Sequence, residues 1–196
     1  LMKAKSHAKK GELAEAQKIY QTILMNYSNN IRALEGLDAL KKPKLNNFTK
    51  NSPKEEVDQL VNLYNQGQLK SVFIRAQALS KQLPKNFIIW KLLGLSSVQI
   101  GMFNKAVDAF KRCISLKPDL VDSYINMGVA LKNQGKLDDA IEAYDKSILL
   151  KPNYVEAYCN LGNALKDQGK FDEAIEAFKK SITIKPDYAE AYCNMG

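Results

Sequence analysis

The chain of 196 residues has one histidine, one tryptophan, three cysteines and three arginines, and each scarcity closes a class of chemistry. His7 lies among Lys5, Lys9 and Lys10. No nucleophile–base pair can be assembled around it. Cys113, Cys159 and Cys193 form no C-x-x-C and are odd in number, which reads as free thiols in a reducing compartment. No group of residues has metal-ligand spacing. No glycine loop of the G-x-x-x-x-G-K type is present to cradle a phosphate. The expectation is therefore no metal, no cofactor and no enzyme in the chain's own right. Arg32, Arg75 and Arg112 make no arginine-rich stripe, so nucleic acid is not an expected partner. No apolar run approaches the ~20 residues of a membrane-spanning helix. The start, Leu1 to Lys5, is charged and lacks a secretory signal's apolar stretch. A cytoplasmic location is expected. Leu1 ahead of Met2 leaves the true start open.

What is present is a moderately apolar chain, 45 % hydrophobic, with a net charge of +8. That proportion suffices for a buried core. The charge is uneven. Residues 1–52 carry +6, residues 53–120 carry +5 and residues 121–196 carry −3. A basic front half suits an acidic protein, a nucleic acid or an anionic surface. Solvated lysines on the backs of helices explain it equally and are the preferred reading.

An internal period decides the architecture. Gly67, Gly101, Gly135 and Gly169 are each 34 residues apart, and so are Pro84, Pro118, Pro152 and Pro186. The blocks between them align without gaps. Each unit reads as two helices. In 121–134, Tyr124, Met127, Gly128 and Leu131 share one face. Gly135 can take the left-handed conformation and stop that helix. Asp138 is placed to cap the next helix, whose apolar side is Ala140, Ile141, Tyr144, Ser147 and Ile148. Pro152 follows, since proline cannot continue a helix. Asp119, Asn153 and Asp187 each have an acid three residues on (Asp122, Glu156, Glu190), which suggests capping boxes. One hairpin cannot cover both its apolar faces, and stacked copies can.

These units resemble tetratricopeptide repeats. The family pattern appears as Tyr124, Met127, Gly128, Leu131, Gly135, Ala140, Tyr144, Ser147 and Pro152. It recurs as Tyr158, Leu161, Gly162, Leu165, Gly169, Ala174, Phe178, Ser181 and Pro186. The unit before has Trp90, Leu93, Gly94, Gly101, Ala106, Phe110, Cys113 and Pro118, with Ser97 departing. The resemblance implies an all-α superhelix, an α-solenoid of antiparallel helix pairs. The expected organisation is N-terminal repeat-like helices over 1–42, one repeat plus a lone helix. Gly11, Ala16, Tyr20 and Ile23 carry the second-helix pattern, and Leu34, Leu37 and Leu40 mark the lone helix. A polar linker over 43–52 follows, bracketed by Pro43 and Pro53. The array then runs over 53–196: a degenerate repeat 53–86, in which Gln59 and Leu60 replace the Leu–Gly pair, repeats 87–120, 121–154 and 155–188, and the start of another at 189–196.

In this family the first helices line a groove that holds extended peptides. Alignment puts Ile88, Lys91, Leu92, Leu95, Val98 and Gln99 on that wall, then Asp122, Ile125, Asn126, Val129, Lys132 and Asn133. Glu156, Cys159, Asn160, Asn163, Lys166 and Asp167 follow, then Glu190, Cys193 and Asn194. The candidate peptide-binding residues are Asn126, Asn160, Asn163, Asn194, Lys132, Lys166, Lys91 and Gln99. Asn126, Asn160 and Asn194 recur every 34 residues, and an amide offers both donor and acceptor to a peptide backbone. Hydrogen bonding between adjacent units is the alternative role for the same asparagines. Asparagines at this place make the repeats similar to those of O-linked N-acetylglucosamine transferases. The family's clamp for chaperone C-termini is not supported. Lys91 has its lysine place, but Leu95 stands for the asparagine, and Ile125 and Cys159 stand for later basic residues.

The resemblance implies a protein–protein interaction scaffold with a peptide or protein partner. A second reading is the substrate-recruiting arm of a larger bacterial glycosyltransferase or sulfotransferase, with its catalytic domain beyond Gly196. A third is a self-assembling scaffold, a homo-oligomer formed through the exposed C-terminal end.

Overall fold

The computed structural model describes residues 1–10, 12–41 and 52–187, and no strand occurs among them. The described helices fall in two compact units, Leu1–Leu83 and Pro84–Gly196. The first holds α1 (Met2–Lys10), α2 (Leu13–Asn26), α3 (Ile31–Lys41), α4 (Pro53–Asn65) and α5 (Leu69–Gln82). The second holds α6 (Phe87–Gln99), α7 (Phe103–Leu116), α8 (Val121–Asn133), α9 (Leu137–Leu150), α10 (Val155–Asp167) and α11 (Phe171–Ile184). The chain is thus all-α, built of helix pairs at the sequence period. Apart from Ser52, the expected linker lies outside the described residues, as do Gly11 and the repeat start at 189–196. The repeat over 53–86 forms as the pair α4 and α5, and it groups with the front helices.

The helix stops follow the glycine expectation. Gly135 has φ 76°. Its N–H donates to the carbonyl of Lys132 at 2.9 Å, and the N–H of Lys136 donates to the carbonyl of Leu131 at 3.0 Å. This paired closure satisfies two carbonyls that a helix end leaves orphaned. Gly169 repeats it through Lys166 and Leu165, both at 2.9 Å.

The helix starts correct the sequence reading. Lys136 is the capping position of α9 and makes no side-chain cap. Asp138 lies inside the first turn, where negative charge complements the helix dipole, and it accepts from Gln168 Nε2 at 2.7 Å. No capping box forms at Asp119 or Asn153, because α8 and α10 begin after Leu120 and Tyr154, neither of which caps through its side chain. Asp187 precedes residues outside those described. A complete capping box stands instead at Ser52 and Glu55, opening α4, and Asn86 Oδ1 accepts from the N–H of Ile88 at 3.0 Å.

Within each regular pair, a glycine of the first helix lies against an aromatic ring of the second. A methyl placed on Gly128 would come 2.5 Å from Tyr144 Cε1, on Gly162 2.5 Å from Phe178, and on Gly94 2.6 Å from Phe110. All three rings are fully buried, and Ala106 and Ala140 are as well. In the degenerate pair the sizes at these two places are exchanged. Leu60 takes the glycine place and Ala76 the aromatic place, and both are fully buried. The front pair has a third solution, with Tyr20 meeting Gly36 of α3.

In the second unit, the backbones of α6 and α8, and of α8 and α10, come within 8 Å of each other, whereas those of α7, α9 and α11 do not approach one another so closely. The row of first helices is the tighter one, so this unit curves towards it. One cluster runs through its middle from Ala106 and Phe110 to Ala157 and Ala164.

The exchange at Leu60 and Ala76 gives a test. Gly128→Leu is expected to destabilise by ~1–3 kcal/mol through overpacking. Adding Tyr144→Ala should recover much of that loss, although Tyr144→Ala alone leaves a cavity and is destabilising too. Urea unfolding of the four forms measures the coupling. Additive losses would contradict a shared contact.

Candidate functional site

Among the described residues, a stripe of mostly half-buried and exposed positions runs along α6, α8 and α10. Residues four and three apart share a helix face. On α8 that stripe is Asp122, Asn126, Val129 and Asn133, and on α10 it is Glu156, Asn160, Asn163 and Asp167. On α6 it is Ile88, Leu92, Leu95 and Gln99. Asn126, Val129, Asn160, Asn163, Ile88 and Leu95 are half-buried, and the acids, Asn133 and Gln99 are exposed. Lys91 and Lys132 are half-buried beside the stripe, with Lys166 exposed. Of the eight candidates, Asn126, Asn160, Asn163 and Gln99 lie on this stripe, and Lys91, Lys132 and Lys166 stand one position before it. Asn194 lies outside the described residues.

Three of the expected wall residues are buried, Leu92 among them at 6 % exposed. Ile125 and Cys159 are 2 % exposed and belong to the core. One position before the stripe lies about 100° round the helix, and there the apolar Ile125 and Cys159 are buried while Lys91, Lys132 and Lys166 are not. The chain's one-sided apolar pattern on α8 carried that signal.

Most of the charge on the wall is paired across units. Lys91 Nζ is 3.5 Å from Asp122 Oδ2, and the other oxygen of Asp122 accepts from the Tyr154 hydroxyl at 2.9 Å. At the opposite edge, Lys132 Nζ lies 3.0 Å from Asp167 Oδ2. Asp122 and Lys132 are ten residues apart on α8, so the two rails stand ~15 Å from each other. The amides lie between them. Asn126 Nδ2 donates to the carbonyl of Asp122 at 2.6 Å, and Asn133 Nδ2 donates to that of Val129 at 2.8 Å. These bonds stay within one helix and do not use the amide oxygens. The alignment did not foresee the rails, because their partners stand 31 and 35 residues apart, off the 34-residue period.

Tyr154 reports on the first rail. Burial, then the hydrogen bond to Asp122 and the charges of Asp122 and Glu156, push its phenol up to about 12. Among the described residues no group of His, Cys, Asp and Glu has the geometry of a metal site. No described helix is long and apolar enough to cross a membrane.

The same stretch is matched by four family models. A tetratricopeptide repeat model covers 155–188, a TPR repeat model 130–169, and two further tetratricopeptide repeat models 109–142 and 89–120. Together they run without a gap over just over half of the chain. The chain belongs to the tetratricopeptide repeat family. No curated protein matches this tetratricopeptide repeat sequence. Solved structures do match. MamA from Desulfovibrio magneticus RS-1, from residue 41 to its end, is 20 % identical over 90 % of this chain and 97 % of that one, with a TM-score of 0.67. YrrB, described as a TPR protein with an unusual peptide-binding site, is 19 % identical over 97 % and 87 %, with a TM-score of 0.64. The first repeat domain of RPAP3, bound to the HSP90 peptide SRMEEVD, is 20 % identical over 56 % and 86 %, with a TM-score of 0.54. At these identities the likeness is one of fold.

The rail at Tyr154 is testable by titration. Its folded phenol ionises above the ordinary 10.0, so the neutral form is favoured by folding. That stabilisation is complete below pH 10 and is lost as pH rises towards 12. Asp122→Asn should lower this phenol, read by tyrosine absorbance with Tyr154→Phe as the assignment control. An unmoved titration would break the link between Asp122 and Tyr154.

Proposed function

We propose that this chain is a protein-interaction scaffold that holds an extended peptide, or an extended segment of a partner protein, against α6, α8 and α10. The observation that carries the reading is the amide stripe. Asn126, Asn160 and Asn163 stand half-buried on the inner side of the curve, between two rails of paired charge. An amide can both donate to and accept from the repeating N–H and C=O of an extended backbone. The same fold holds a peptide in the RPAP3 domain, which supports the choice of ligand class.

Magnitudes set what the stripe contributes. Each such bond nets ~0.5–1.5 kcal/mol, whereas association costs roughly 4–15 kcal/mol. Three amides do not hold a ligand alone, so side-chain contacts along α6, α8 and α10 supply the remainder.

A peptide recovered from a random display library on the purified chain provides the probe. Asn126→Ala and Asn160→Ala should each weaken its binding roughly two- to tenfold, with helicity by circular dichroism unchanged. If instead the melting temperature collapses and the protein still folded binds as before, these asparagines are structural and the reading fails.

A further inference from the structure

The wall carries many charges but almost no net charge. Asp122 and Glu156 stand in the first turns of α8 and α10, and Lys132 and Lys166 in the last, each opposite in sign to the local helix dipole. With Lys91 and Asp167, three cations face three anions, and the ion pairs of Lys91 with Asp122 and of Lys132 with Asp167 cross from one helix pair to the next. Those pairs are open to solvent: Lys132 is 31 % exposed and Asp167 is 49 %. Such pairs hold weakly. Their effect on a ligand is to cancel the field over the strip between them, where Asn126, Val129, Asn160 and Asn163 carry no charge.

The strip changes character along the row. On α6 the places equivalent to the amides belong to Leu92 and Leu95, with Ile88 one turn earlier. Leu95 packs on the core below and keeps part of its surface open. So an apolar step on α6 is followed by amide steps on α8 and α10.

We infer that the segment this wall accepts is uncharged, with one bulky apolar side chain over α6 and small or amide side chains over α8 and α10. The inference rests on the groove reading above. A carboxylate or ammonium laid on the strip gives up hydration and meets as many charges of its own sign as of the other. A branched or aromatic side chain beside Ile88 and Leu95 removes apolar surface from water. The backbone between them is left to the amides.

Selection from a random peptide library on the purified chain tests this, run in parallel on Asp167→Asn and Leu95→Ala. The unmodified chain should return peptides depleted in Asp, Glu, Lys and Arg, with an aromatic or branched residue enriched at one end. A Glu placed in the middle of such a peptide should weaken binding roughly tenfold. Asp167→Asn leaves Lys132 without its partner and should admit acidic residues. Leu95→Ala should lose the terminal apolar preference and keep the depletion of charge. Recovery of acidic or basic peptides by the unmodified chain overturns the inference and leaves the groove reading standing. Failure to recover any binder, or binders indifferent to Asn126→Ala combined with Asn160→Ala, overturns both.

Discussion

The contact between a first-helix glycine and a second-helix ring sets the geometry of the regular pairs. Where Gly128 lies on Tyr144, no side chain separates the backbone of α8 from the ring, and the two helices close up. Aromatic rings then fill the space that the next pair would otherwise leave as a void, and dense interiors tolerate little error there. The pair is completed only by its neighbour: Ile125 and Ala130 of α8 share one cluster with Ala157 and Ala164 of α10. Stability in such a stack is close to a sum over neighbouring interfaces. With the bulk confined between the helix rows, the first helices come close to each other, and the stripe on the inner side of their curve stays half-buried to exposed.

Much of this was legible in the sequence because repetition turns one noisy pattern into several aligned ones. The positions of Gly135 and Gly169 fixed the helix stops, and their backbone angles agree. Helix starts were harder. The acids near them suggested caps, yet Asp122 turns to Lys91 and Tyr154, and Asp138 to Gln168. An acid in a first turn satisfies the dipole from several rotamers, so sequence does not say which partner it takes. The pair α4 and α5 looked degenerate because Leu60 breaks the glycine pattern. Ala76, fully buried like Leu60, stands where the regular pairs carry an aromatic ring.

The candidate wall was legible in outline. Helical spacing and the repeat period were enough to place the asparagines on one face. Ile125 and Cys159 were misjudged, because alignment ranks positions by analogy, while a step of one residue decides between open face and buried seam. The cross-unit ion pairs were invisible for a related reason: Lys91 is peculiar to one unit, Asp167 replaces the Asn133 of the unit before, and partners off the period leave no repeating trace. These irregular residues are what distinguish this wall from a generic one. They balance its charge, and they set an apolar step at α6 beside amide steps at α8 and α10.

The central claim is that the stripe on the first helices, and not the second helices, receives the partner. Side-chain amide resonances give the most direct measurement, since Asn126, Asn160 and Asn163 lie on α8 and α10 while α9 and α11 carry no asparagine. On adding a bound peptide to isotope-labelled protein, these three side-chain signals should shift together, with the backbone signals of α9 and α11 almost unmoved. Shifts centred on α9 and α11, with the three asparagines undisturbed, would contradict the account.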